Sequence, residues 1–109
     1  MLKQIAKKYF KLFSNKDINA LSPMFSKKII LRDWKIKAQG IKKVLKENEK
    51  IFKDCKSIQA KPIKIFQEKK TIIAELVICI NKSKNLLVVD VLEFDKQKKI
   101  KSIRAYLGN

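Results

Sequence analysis

With 109 residues, 46% of them hydrophobic and 34% charged, the chain has material for one folded domain with one core and not for two. No apolar run reaches the length of a membrane span, no signal-peptide block opens the chain, and without histidine neither a zinc site nor a His-based triad is expected. The formal net charge of +17 invites a polyanionic partner, yet only Arg32 and Arg104 among the 27 basic residues carry the guanidinium fork that phosphate recognition favours. The lysines are spread over every predicted element, so a solvated lysine-rich surface is expected rather than a nucleic-acid face. Cys55 and Cys79 lack metal-like spacing and read as reduced, buried thiols of a soluble cytoplasmic protein with no membrane partner.

Leu2, Ile5, Ala6, Tyr9, Phe10, Leu12 and Phe13 recur at helical spacing opposite Lys3, Lys7, Lys8 and Lys11, which predicts an amphipathic helix over Met1 to Phe13. Asp17 is the N-cap of a second, short helix reaching Phe25, weakened at Pro23. Ile29 to Trp34 reads as a strand by its β-branched and aromatic content. Gly40 opens a third helix that runs through Val44, Leu45, Asn48, Ile51 and Phe52 to about Asp54.

From there the pattern is strands only. Ser57 to Gln67 carries Pro62, which argues for a bulge or a sheet edge. Thr71 to Ile80, Leu86 to Phe94 and Ile100 to Leu107 follow, joined by short polar turns that make three successive antiparallel hairpins. Helices first and a meander afterwards predict an α+β domain, with helices packed on one face of a curved sheet.

Leu86 to Phe94 is an almost unbroken apolar run and reads as a strand buried on both faces, with Asp90 as its misfit. A buried carboxylate is either paired, reached by a pocket, or held neutral by a raised pKa. Glu75 is alone in another apolar strand and faces either a pocket or a dimer partner, or pairs across the sheet with a basic residue. The outer positions Leu87, Val89, Val91 and Tyr106 would leave an apolar sheet back that a small domain rarely keeps wet, and predict a homodimer.

The segments Lys8 to Phe13, Leu31-Arg32-Asp33, Val88 to Asp95 and Ile103 to Tyr106, with Asp17, Phe25 and Gly40 between them, resemble the bacterial ketosteroid isomerases and the wider SnoaL-like, nuclear-transport-factor-two-like superfamily. The resemblance covers nearly the whole chain and implies a single cone-shaped domain, in which a strongly curved sheet wraps around three helices and encloses a blind apolar pocket. It also implies roles. The isomerases' catalytic Tyr and two Asp fall on Tyr9, Asp33 and Asp90, so that Asp33 would be the general base while Tyr9 and a protonated Asp90 form the oxyanion hole. Trp34, Glu75, Val88 and Leu107 would then line the ligand site, and the reaction, a proton transfer next to a carbonyl of a small apolar ligand, would need no cofactor.

Each position also has a plainer reading. Tyr9 can be a core aromatic, Asp33 can cap a strand end or pair with Lys35, and Asp90 can bond Tyr9 alone. Departures from the isomerase pattern are Phe25 and Asn48, where some members carry supporting tyrosines, Trp34 in place of a proline, and Leu107 in place of a pocket aromatic. They point to a smaller or differently shaped ligand. The alternative to an enzyme is a non-catalytic pocket protein or dimeric interaction module of the same fold.

Overall fold

The computed structural model describes residues 1–108, and its elements follow from two periodicities. Helix α1, Leu2–Ser14, buries Ala6, Tyr9 and Phe10 and leaves Lys3, Lys7, Lys8 and Lys11 in solvent. At its C-terminal end the Ser14 hydroxyl donates to the Phe10 carbonyl at 2.8 Å and accepts from the Ala60 amide at 2.9 Å, fastening the helix to the sheet. Helix α2 is one turn, Ile18–Leu21, capped by the Asp17 carboxylate, which accepts from the Ala20 amide at 3.1 Å. Pro23 then tightens Ser22–Met24 into a 3₁₀ turn. Phe25 thus begins strand β1, Phe25–Arg32, and does not end the second helix.

A short strand absent from the sequence reading, β2, Lys37–Gln39, pairs back on β1 with Arg32 opposite Lys37. Gly40, at φ +91°, makes the corner into α3, Ile41–Asp54, whose buried stripe is Val44, Asn48 and Phe52 at i, i+4 and i+8. The Lys16 ammonium donates to the Cys55 carbonyl just beyond that helix, where a cation complements the dipole. Strands β3, Ile58–Glu68, β4, Thr71–Ile80, β5, Lys84–Phe94, and β6, Ile100–Leu107, complete the chain.

The six strands lie in the order β2-β1-β6-β5-β4-β3 in one curved, unclosed sheet. All neighbours are antiparallel except β1 and β6, which the long connection through α3 allows to run parallel, Leu31 beside Ile103. β3 is an edge strand, and its register shifts between Pro62 and Lys64, so the proline sits where a missing donor does least harm. Leu31, Ala60, Ala74, Leu76, Val88, Leu92 and Ile103 face inward to the helices and form the core with Phe10, Leu21 and Phe94.

Strand β5 corrects one expectation. Val88, Asp90, Leu92 and Phe94 are buried, whereas Leu87 is exposed and Val89, Val91 and Glu93 are only half-buried. The helices cover the inner face alone, so an apolar run that reads as two-sided burial is a one-sided strand with an apolar back.

Candidate functional site

Between the helices and the inner face of the sheet lies a cavity of about 570 Å³, within the size range of small-molecule sites. Its walls are mostly aliphatic, with Leu31, Leu76, Ile78, Leu86, Val88 and Ile103 from the sheet. Tyr9, Asp33 and Asp90, separated along the chain, all open onto it.

Each arrives by a different local device. Tyr9 stands on the buried stripe of α1, its ring fixed by Phe10, Phe13 and Phe25 at centroid distances of 5.3, 6.2 and 6.2 Å. Asp90 takes the inward parity of β5 between Val88 and Leu92. Asp33 follows the last residue of β1, in the turn that reverses the chain into β2. One of its carboxylate oxygens accepts from the amides of Lys35, at 2.7 Å, and Ile36, at 2.6 Å, while its own amide donates to the Ile36 carbonyl at 2.9 Å. Asp33 therefore builds its turn, and the same bonds hold its carboxylate in place at the cavity wall.

Burial sets the electrostatics. Asp90 is 7% exposed, and among the described residues its carboxyl has no hydrogen-bond partner. Desolvation, helped by the negative charge of Asp33, pushes its pKa up to about 7. Tyr9 is 5% exposed, and desolvation together with the Asp90 charge holds its phenol far above the usual range. The pocket thus contains a phenol and a carboxyl that keeps its proton up to about pH 7, neither with a hydrogen-bond partner among the described residues, together with one carboxylate pinned by backbone amides. That combination can stabilise an oxyanion and receive a proton.

Trp34, Val88 and Leu107 line the same cavity. Glu75 does not. Its neighbours Ala74 and Leu76 point inward, so Glu75 emerges exposed on the outer face, opposite Val89 and Lys64, and leaves the set of ligand-site residues. Helix α3 and the residue after it also supply wall residues: Asn48, which the resemblance aligns with a supporting tyrosine of some isomerases, and Ile51, Asp54 and Cys55, which the sequence did not single out for the site. Asn48 is 4% exposed and its Nδ2 has no partner among the described residues. A polar residue in the middle of the Val44, Asn48, Phe52 stripe was the available signal.

No protein-family model matches the chain, and no curated protein matches it in sequence. Solved structures do match in shape. A protein assigned as a SnoaL-like polyketide cyclase from Shewanella denitrificans superposes with a TM-score of 0.87 at 13% identity, over 98% of this chain and 90% of that one. The chain has the nuclear-transport-factor-two-like (NTF2-like) fold. A protein assigned as a ketosteroid isomerase from Kribbella flavida matches with a TM-score of 0.83 at 11% identity, over 99% of this chain and 78% of that one. An epoxide hydrolase of the LEH-like group from M. tuberculosis matches with the same score at 12% identity, over 96% and 80%. The same fold thus carries proteins assigned to different reactions, so any activity of this chain has to be argued from its own side chains.

Proposed function

We propose that this NTF2-like chain is a ketosteroid-isomerase-like enzyme that moves a proton next to the carbonyl of a small apolar ligand. The observation that carries the reading is the opening of Tyr9, Asp33 and Asp90 onto one apolar cavity, with Tyr9 and Asp90 lacking protein acceptors. Asp33 removes a proton from the carbon beside the carbonyl, and the electron pair moves onto the carbonyl oxygen. Tyr9 and protonated Asp90 donate hydrogen bonds to the resulting enolate. Asp33 returns the proton at the far end of the conjugated system, so that a β,γ-unsaturated ketone becomes the α,β-isomer with no net change in atoms. A positioned base contributes roughly 10²- to 10⁴-fold and an oxyanion donor about 2.7–4 kcal/mol, enough for such a reaction without a cofactor.

The test is to incubate the protein with a β,γ-unsaturated ketone and follow the absorbance of the conjugated enone. Turnover that disappears in Asp33→Asn supports the assignment, and turnover indifferent to that change removes Asp33 as the base. One observation favours a second reading, a binding protein without turnover: an oxygen of Asp33 is already engaged by two backbone amides. That reading expects an apolar phenol to bind with or without the Asp33 change and no enone to be converted.

The assembly we propose is a cytoplasmic homodimer through the outer sheet face. Support comes from the exposed Leu87 and Tyr106 and the half-buried Val89 and Val91, which share that face. Light scattering that returns a monomer mass at high protein concentration would refute it.

A further inference from the structure

Asn48 costs this fold something and receives nothing from it. It interrupts the buried stripe of α3 between Val44 and Phe52, where an aliphatic side chain would pack, and asparagine is a poor helix former in a helix interior. Its Nδ2 is buried with no hydrogen-bond partner, and its side chain forms part of the cavity wall that also contains Tyr9 and Asp90. Buried amides in folded proteins are normally paired, and an unpaired one on a residue that lines a ligand-sized cavity is a polar group whose side chain an outside partner can satisfy.

We infer that Asn48 is a second polar anchor in the cavity, and that the ligand is an apolar molecule bearing, besides the oxygen held at Tyr9 and Asp90, a further hydroxyl or carbonyl oxygen that accepts a hydrogen bond from the Asn48 amide. This rests on the reading of Tyr9 and Asp90 as the first oxygen site. Asn48 comes from α3 and the other two from α1 and β5, so the three polar groups reach the cavity wall from three different elements. A primary amide offers an acceptor as well as donors, which suits a hydroxyl that both accepts and gives. A ligand lacking that oxygen leaves the amide unpaired, and such mismatches discriminate more strongly than a missing methylene does.

The experiment compares 2-naphthol with 2,3-, 2,6- and 2,7-dihydroxynaphthalene, titrated by their own fluorescence into the wild-type protein, Asn48→Leu and Asp90→Leu. At least one dihydroxy isomer is expected to bind the wild type about tenfold or more tightly than 2-naphthol. Asn48→Leu is expected to bring the ratio of dihydroxynaphthalene to 2-naphthol affinity down to about one. If no dihydroxy isomer is preferred, or if the preference survives in Asn48→Leu, the second anchor is wrong. Binding of 2-naphthol that is unchanged in Asp90→Leu, which has no donor, overturns the first oxygen site and leaves the Asn48 comparison standing. If no naphthol binds at all, both fall.

Discussion

Asp90→Asn isolates the energetic consequence of placing an acid in the inner row of β5. The folded protein holds this carboxyl near a pKa of about 7 against an ordinary 3.8, because burial penalises the charged form and Asp33 adds a like charge. Between those two values the folded state binds the proton and the unfolded chain does not, so Asp90 makes stability fall as pH rises from about 4 to about 7, with no further loss above that. A shift of about three units corresponds to an upper bound of roughly 4 kcal/mol. Asparagine has nearly the same shape and never ionises. Urea denaturation of both proteins, followed by circular dichroism across that pH interval, should give a stability difference near zero at the acid end that grows to several kcal/mol in favour of the variant at about pH 8. The ion pairs Glu93–Arg104 and Glu47–Lys50 and the Asp17 cap are the same in both proteins and cancel in the difference. A difference independent of pH would refute the reasoning, since it would mean that Asp90 is ionised as readily in the fold as in the unfolded chain.

The other expectations are more local. Tyr9→Phe keeps the ring packed among Phe10, Phe13 and Phe25 and removes a hydroxyl without a protein acceptor, so thermal stability should hold or rise while enone turnover falls about 10²- to 10³-fold. Gly40→Ala should destabilise by about 1–3 kcal/mol in urea denaturation. Nothing lies within 4 Å of the added Cβ, so the whole effect is the strain of a side chain at φ +91° and ψ 148°. Asn48→Leu should stabilise the ligand-free protein by about 1–3 kcal/mol, read as a higher melting temperature, because it removes an unpaired buried amide from an apolar stripe. A lower melting temperature would show that Asn48 has a structural role.

Much of the architecture was legible because it rests on period. The lysines of α1 alternate with its buried face at helical spacing, Gly40 marks the corner it occupies, and Pro62 falls on an edge strand at a register shift. β2 was not legible, since three residues with one buried side chain, Ala38, carry no periodic signal, and the strand exists only because the Asp33 turn folds it onto β1. The extension of β1 back to Phe25 was hidden for a related reason: Ser26, Lys27 and Lys28 have low strand propensity and fall at the register shift between Phe25 and Ile30 in the pairing with β6. Of the site, Tyr9 and Asp33 were singled out only by the isomerase resemblance, whereas Asp90 stood out as an acid inside an apolar run. Glu75 stood out in the same way and was misread, because polarity inside a strand does not say which face it is on; only the register against β5 does.

That distinction separates the polar residues of this chain into two groups with different physical meaning. Glu75 and Glu93 emerge on the outer face, where water or Arg104 satisfies them, and they add little to the energetics of the fold. Tyr9, Asp90 and Asn48 each occupy a place in an inward stripe that an apolar residue of similar size would fill with gain, and among the described residues none has a hydrogen-bond partner to offset its burial. Three such penalties on one cavity, contributed by α1, β5 and α3, have no structural return, whereas a ligand carrying oxygens where those groups point would offset all of them at once. The stability that this protein forgoes in the empty state is then a measure of the affinity and orientation available to the filled one, and variants that repack the cavity with aliphatic side chains should gain in melting temperature what they lose in discrimination between ligands.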